Sequence, residues 1–209
     1  MIKIYGQVMS RAPRCLWAAE ETGVEYEHIP VSQNDGSNLK PDYLAVNPNG
    51  KVPAMEDGDL KLFESMAINL HLAAHSGGAM WPADDNGKSL AVQWSIWAMT
   101  ELEPPLIAML EEKMFKEQPD WDTERIAAAE EQIKRPLAVL NDTLATRDWF
   151  IGDAFSIADL NVASVLSLAG LLQFSVSEWE NVDRWATACW SRPANQKLVK
   201  QMQEAMAAG

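Results

Sequence analysis

Residues 47–65, NPNGKVPAMEDGDLKLFES, constrain the fold of this chain more than any other stretch. The stretch opens on a turn signal from Asn47 to Gly50, because proline pre-sets one backbone angle while asparagine and glycine tolerate left-handed angles. Residues 56–59, Glu-Asp-Gly-Asp, are a hairpin signal, and an alternating Leu-Lys-Leu-Phe strand follows them. The sequence therefore predicts a turn, an antiparallel hairpin and then a helix over residues 66–75.

Two positions within this stretch offer groups that can bind a ligand. A proline cannot donate a ladder hydrogen bond, so Val52 and Pro53 should lie at a strand edge or bulge. The main-chain groups of Val52 are then available to a peptide. Glu64 and Ser65 fall where the return strand meets the helix, and they face its free N–H groups and the positive end of its dipole.

In this order and spacing, NPNGKVP, the acidic hairpin and FES-x-AI at the helix start resemble the cytosolic glutathione transferases. The match is to the serine-type bacterial, phi and theta-like members, and it extends over nearly the whole chain. The resemblance implies a cis peptide bond before Pro53 and glutathione as a co-substrate.

The element order predicts an α/β domain followed by an all-α domain. Residues 2–5 alternate as a strand, residues 11–22 form a helix capped by Ser10, and residues 25–30 form a second strand before the hairpin. This is the order of a thioredoxin-like domain. We expect that domain over residues 1–76, a linker over 77–87 and a C-terminal helical bundle domain over 88–209.

Long helical patterns fill the second part of the chain. Prolines should interrupt them, at Pro104 and Pro105, at Pro136 and at Pro193. Ser156 and Asp159 form a capping-box pattern that should open a buried central helix. The predicted helical stretches cover residues 88–115, 123–145, 155–172 and 179–206.

Composition limits the possible partners. The formal charge is −13 over 209 residues, which disfavours nucleic acid and anionic membrane surfaces because both reward clustered lysine and arginine. No apolar run approaches the roughly 20 residues needed to span a bilayer. The two cysteines are far apart and offer neither a metal-ligand spacing nor a disulfide framework. We therefore expect a soluble protein of a reducing compartment, the cytoplasm.

The sulfur chemistry of such an enzyme needs a group that keeps a thiol ionised. A free thiol has a pKa of about 8.5, and a hydrogen-bond donor at a helix N-terminus lowers it. The resemblance gives Ser10 the position of the catalytic serine, whose hydroxyl donates to the glutathione thiolate. Alternatively, Ser10 only caps the helix. Cys15 is a competing nucleophile, but its place inside the helix beside Leu16 and Trp17 favours a buried apolar role.

The resemblance assigns the glutathione contacts residue by residue. Glu64 and Ser65 match the pair that binds the γ-glutamyl group, and Val52, before Pro53, pairs its backbone with the cysteinyl unit. Lys51 matches a position near the peptide, and Lys40 matches a basic position for the glycyl carboxylate. The alternative is that these are ordinary helix-cap and surface residues.

The site for the electrophile is less legible. It should lie between Met9 on the first loop and the first long helix, where Trp97, Glu101, Pro105 and Met109 fall at roughly helical spacing. Each of these also fits a core or dimer contact.

His71 and His75 are spaced i, i+4 and could share a metal. No third ligand is evident near them in the sequence, so exposed helix residues are favoured and no metal is predicted.

The resemblance implies a homodimeric detoxification enzyme in which the glutathione thiolate attacks a small hydrophobic electrophile. Two alternatives stay open. The same site can serve a peroxidase, dehalogenase, isomerase or thiol-transfer reaction, or the fold can be a non-catalytic binding module. Modules often lose the Glu-Ser pair or the serine, whereas this chain keeps Ser10, Pro53, Glu64 and Ser65 together.

Overall fold

The computed structural model describes residues 1–78 and 80–208, and its contacts divide the chain into two compact units. The first unit comprises Met1–Trp81 together with Ser191–Gly209, and the second comprises Pro82–Trp190. The C-terminal segment therefore belongs with the first unit, whereas the sequence placed it in the helical domain of residues 88–209. The predicted linker, residues 77–87, includes residue 79, which lies outside the described residues.

A small mixed sheet organises the first unit. Its strand order is β2-β1-β3-β4, with β1 and β2 parallel and the other pairs antiparallel. The predicted fold class, a thioredoxin-like domain with a helical one, is confirmed. The elements of this part are β1 Ile2–Tyr5, α1 Ala12–Thr22, β2 Tyr26–Ile29, a 3-10 segment Ser37–Leu39, α2 Pro41–Leu44, β3 Ala54–Asp57, β4 Leu60–Phe63 and α3 Ser65–His75.

Glycines occupy the left-handed positions at a helix end and a hairpin turn of the first unit. Gly23 ends α1 in a left-handed conformation, and its N–H donates to the Ala19 carbonyl at 3.0 Å. Gly58 adopts φ 58° in the hairpin, where Asp57 pairs with Leu60. Helices α1 and α3 pack together, and their apolar residues are buried with those of the strands: Ile4, Leu16, Met55, Ile68 and Leu72.

Helices make up the second unit. All ten residues of α8 are buried, and the ring of Phe150 lies between Trp94 and Trp185, with centroids 4.4 and 5.1 Å away. Among the described residues, no helix combines the length and apolarity needed to cross a membrane. The elements are α4 Asp85–Trp97, a π-helical segment Ala98–Leu102, α5 Glu103–Phe115, 3-10 segments Gln118–Asp120 and Leu144–Thr146, α6 Thr123–Gln132, α7 Lys134–Thr143, α8 Ile157–Leu166, α9 Leu168–Leu171 and α10 Glu180–Trp190.

The last helix, α11 Pro193–Ala208, packs against α1 in the first unit. Ion pairs connect α1 to α11 and to Arg192, the residue just before α11. Arg192 donates to both carboxylate oxygens of Glu21 at 2.7 Å, and Lys197 donates to those of Glu20 at 2.7 and 2.8 Å.

Candidate active site

Ser10 lies in the turn between β1 and α1 and is partly buried. Its hydroxyl donates to the Gln7 carbonyl at 2.6 Å and accepts from the Ala12 N–H at 3.0 Å. Helix α1 begins at Ala12, one residue later than predicted, with Arg11 at the N-cap position and no side-chain cap there. Ser10 nevertheless satisfies a first-turn N–H. A hydroxyl has one hydrogen, so Ser10 must release Gln7 to donate to a ligand.

Gly6 lets the first loop pass close to the start of α1. Its φ is +140°, and a Cβ on it would lie 2.6 Å from the Ala12 Cβ and 3.6 Å from the Ser10 Oγ. The Gly6 carbonyl also lies 2.6 Å from His28 Nε2 on β2. The sequence analysis did not include Gly6 in the site. The structure shows that a side chain at position 6 would displace the turn that carries Ser10.

The peptide bond between Val52 and Pro53 is cis, as the resemblance implies. Strand β3 begins at Ala54, where it pairs with Tyr5 of β1. The N–H and C=O of Val52 therefore precede the ladder between β3 and β1. The prediction that these main-chain groups remain available to a peptide is consistent with this geometry.

Tyr43 and Asn47 hold the carbonyl of Lys51. The Tyr43 hydroxyl donates to it at 2.5 Å, and the Asn47 side chain donates at 2.6 Å. Burial raises the pKa of Tyr43 to about 12, so the phenol keeps its proton at neutral pH. The Gly50 N–H closes the predicted turn onto the Asn47 carbonyl at 3.0 Å. The sequence analysis did not predict these two hydrogen bonds to the Lys51 carbonyl, because Asn47 gave only a local turn signal and Tyr43 gave none.

The side chains of Lys40 and Lys51 are exposed. Lys40 stands immediately before α2, and Lys51 stands immediately before the cis peptide bond. Both positions are therefore open to a ligand carboxylate from solvent.

Glu64 and Ser65 lie at the start of α3, as predicted. Glu64 is exposed and has φ 72°, one of two non-glycine residues with positive φ among the described part of the chain. It makes no side-chain cap, so the first-turn N–H groups of α3 are not satisfied by it. Ser65 is 4% exposed and is the first residue of the helix. The site thus combines an exposed carboxylate, a hydroxyl and a helix N-terminus.

Cys15 has the environment of a buried structural residue. Its thiol is fully buried and lies 3.8 Å from the Ser65 carbonyl, and burial raises its pKa. A nucleophilic cysteine needs a lowered pKa and access to solvent. The geometry favours the apolar role that its position in α1 indicates.

The residues named for the electrophile site differ in exposure. Met9 is 47% exposed. In the second unit, Glu101 is exposed and Trp97 is partly buried. Pro105 and Met109 are buried in α5, which favours the core role that the sequence left open for them. The electrophile site remains a prediction.

Comparison with known protein families decides the relationship. The model of the glutathione S-transferase N-terminal domain matches residues 1–74, and that of the glutathione S-transferase C-terminal domain matches residues 104–193. The chain belongs to the glutathione S-transferase family. The family resemblance of the sequence is confirmed, and the enzyme class is glutathione transferase.

Individual glutathione transferases match along nearly the whole chain. Glutathione S-transferase 4 of Zea mays is 35% identical, with 96% of this chain and 93% of the relative covered. A probable glutathione S-transferase, GSTF2, of Oryza sativa subsp. japonica is 33% identical over 96% and 97% of the two chains. The theta class glutathione S-transferase from Xanthomonas axonopodis pv. citri, solved with glutathione bound, has a TM-score of 0.86 and 31% identity over 94% and 95% of the chains.

Proposed function

We propose that this glutathione transferase binds glutathione through the backbone of Val52 and through Glu64 and Ser65 at the start of α3. It then conjugates the glutathione thiolate to a small hydrophobic electrophile. The observation that carries the proposal is the backbone of Glu64. A positive φ at a glutamate costs on the order of 1–3 kcal/mol, and residues under such strain cluster at active sites and ligand clamps. Here it precedes a helix N-terminus that Glu64 itself leaves uncapped.

The glutamyl end of glutathione carries an amine and a carboxylate next to each other. The first-turn N–H groups of α3 and the Ser65 hydroxyl suit the carboxylate, because a helix N-terminus favours an anion. The exposed Glu64 carboxylate suits the amine. Two observations support these roles: Glu64 and Ser65 are adjacent, and Glu64 is exposed whereas Ser65 is buried at the helix start.

The rest of the peptide has matching partners in the first unit. The backbone of Val52, which precedes the first paired residue of β3, pairs with the cysteinyl unit as in strand addition. Exposed Lys40 is a cation for the glycyl carboxylate, and exposed Lys51 lies near the peptide.

Ser10 stabilises the thiolate in this mechanism. Its hydroxyl rotates from the Gln7 carbonyl, 2.6 Å away, to the sulfur, while its oxygen still accepts from the Ala12 N–H. A donor to the ionised form lowers the pKa of the thiol and raises the thiolate fraction at neutral pH. The electrophile would lie beside the sulfur, near Met9, which is on the first loop and is 47% exposed.

Assembly, location and biological role belong to the same proposal. We place the enzyme in the cytoplasm as a homodimer that detoxifies electrophiles. In the first unit, β4 is an edge strand with exposed Leu60 and Phe63, 41% and 39% exposed, which suits a contact with a second copy.

Calorimetric titration with glutathione tests the proposal. We expect a Kd in the micromolar to millimolar range, and much weaker binding of the isomer in which the glutamate is joined through its α-carboxyl group. Equal binding of the two peptides would contradict the assignment of the γ-glutamyl site. Product analysis with an activated aryl halide and with an organic peroxide then separates conjugation from the peroxidase alternative.

A further inference from the structure

Three potential metal ligands meet at the far end of α3 from Ser65. Asp57 ends strand β3, and His71 and His75 lie one turn apart on α3. The His71 Nε2 and Asp57 Oδ2 atoms are 3.0 Å apart, and the rings of the two histidines lie 4.2 Å apart between centroids. One ligand atom from each residue falls within 4.8 Å of the others. Within the described residues, no other group of three such side chains is found.

The fold explains why these residues meet although Asp57 is distant in sequence. The i, i+4 spacing puts both imidazoles on one face of α3. The hairpin ends β3 at Asp57 through Gly58, at φ 58°, and α3 packs against β3. The sequence analysis predicted no metal because it lacked a third ligand. The structure supplies that ligand from a strand fourteen residues before His71.

A hydrogen bond alone accounts for only part of this arrangement. The contact between His71 and Asp57 can tie the helix to the hairpin without any metal. It does not account for His75, whose exposed ring lies against that of His71 at an interplanar angle of 30°. A shared cation uses all three side chains, because imidazole nitrogen and carboxylate oxygen are ordinary ligands of zinc.

We propose that Asp57, His71 and His75 form a binding site for one divalent transition-metal ion of the zinc type, with water completing its coordination. Zinc bonds of about 2.0–2.2 Å in a tetrahedron place neighbouring ligand atoms about 3.3–3.6 Å apart. The pair formed by His71 and Asp57 is already close to that separation. His75 is exposed, so its side chain can turn to close the remaining gap.

This site is separate from the proposed glutathione site. Residue 75 follows Ser65 by ten residues, which is about 15 Å along a helix at 1.5 Å per residue. The metal therefore clamps α3 to the hairpin and does not take part in the sulfur chemistry. Because the ion binds the folded chain, it should raise Tm as its concentration exceeds Kd.

The test uses the full chain without a histidine tag, stripped with a chelator and titrated with zinc chloride in a calorimeter. We expect one zinc per chain and a Tm that rises with zinc. His75→Ala, at an exposed position, should weaken binding at least tenfold, since loss of even an outer-sphere partner typically costs 10- to 100-fold. Asp57→Asn should do the same.

Asp59→Asn is the matched control, because Asp59 is an exposed aspartate of the same hairpin outside the cluster. Its zinc affinity should equal that of the wild type. Absence of zinc binding to the wild type, or equal binding by His75→Ala and Asp59→Asn, would overturn the proposal. Circular dichroism of each variant checks that the fold is retained.

Discussion

At the scale of single residues, Glu64 adopts a backbone angle that its side chain disfavours. The strain comes from the Cβ and is the same for any L-residue other than glycine. Its carboxylate is exposed and caps nothing. Its chemical identity therefore matters to a ligand more than to folding.

Glu64→Ala should weaken glutathione binding by about 1–3 kcal/mol, the usual cost of stranding a charged partner. The free energy of unfolding should change by less than about 0.5 kcal/mol. Calorimetry and urea unfolding measure the two quantities. Glu25→Ala, which removes another exposed glutamate of the first unit, should alter neither. Equal affinity in the two variants would remove Glu64 from the site.

Ser10→Ala should reduce turnover while leaving glutathione affinity nearly intact. Without the hydroxyl donor the pKa of the bound thiol rises, so the acidic limb of the kcat/KM profile for the electrophile, measured at saturating glutathione, should shift to higher pH. The Ala12 N–H also loses its acceptor, which should cost about 0.5–2 kcal/mol of stability. Ser10→Thr keeps a hydroxyl and should recover part of the rate. Full activity in Ser10→Ala would point to another donor, such as Arg11 or a backbone N–H.

At this scale, local sequence signals were sufficient to identify four candidate site residues, because each lies at a turn or a helix start: Ser10, Pro53, Glu64 and Ser65. They were insufficient where a contact joins distant parts of the chain. The proximity of Asp57 to His71 depends on how the hairpin packs against α3, which no local pattern records.

At the scale of elements, Glu112 joins α5 to α6. Its side chain is 1% exposed and accepts from Lys116 at 2.6 Å, from the Asp122 N–H at 3.0 Å and from Arg125 at 2.8 Å. The hydrogen bond from Lys116, helped by the other two donors, lowers the pKa of Glu112 to about 2. This junction gave no signal in the sequence.

A lowered carboxyl pKa stabilises the fold only while the group is ionised. The contribution of Glu112 should be complete above its unfolded pKa, about 4.3, and should be lost as the pH falls towards 2. Urea unfolding of Glu112→Gln should therefore show a large loss of stability at pH 7 and a small one near pH 2. Glu111→Gln, at an exposed partner of Arg125, should have little effect at either pH. A pH-independent loss in Glu112→Gln would contradict this account.

Asp159 secures the start of α8. It accepts from the Phe150 N–H, the Ser156 N–H and the Trp185 indole, each at 3.0 Å, and from the Ser156 hydroxyl at 2.8 Å. Asp159→Ala should lower the free energy of unfolding by at least about 3 kcal/mol, because several buried donors lose their acceptor. Asp148→Ala, which removes an exposed aspartate paired with Arg184, should cost about 1 kcal/mol or less. Similar losses in the two variants would contradict a special role for the capping box.

The prolines show how far a local rule predicts an element. Pro104 and Pro105 were expected to kink or split the first long helix, and the chain forms a π-helical segment over Ala98–Leu102 just before them. A proline leaves the carbonyl four residues earlier without its donor, so the disturbance falls upstream of the ring. In the same way, α6 ends at Gln132, four residues before Pro136. The rule predicts that a break occurs, and the local hydrogen bonding decides its form.

At the scale of the whole molecule, the two-part organisation followed from the change in hydrophobic period along the chain. The packing of α11 against the first unit could not be predicted in this way, because the ion pairs of Arg192 and Lys197 with α1 join residues more than 170 positions apart. Contacts over such a separation depend on the path of all the intervening helices. Hydrophobic periodicity predicts each helix but not the element against which that helix packs.

The central claim is that the start of α3 binds the γ-glutamyl carboxylate, and glutathione titration of Ser65→Ala tests it most directly. We expect a loss of about 1–3 kcal/mol, roughly a 5- to 150-fold increase in Kd, with Tm nearly unchanged. Ser76→Ala is the matched control, since Ser76 lies at the other end of α3 and donates to the Ala73 carbonyl. Wild-type affinity in Ser76→Ala together with weakened binding in Ser65→Ala is the predicted result. Unchanged glutathione affinity in Ser65→Ala would contradict the account.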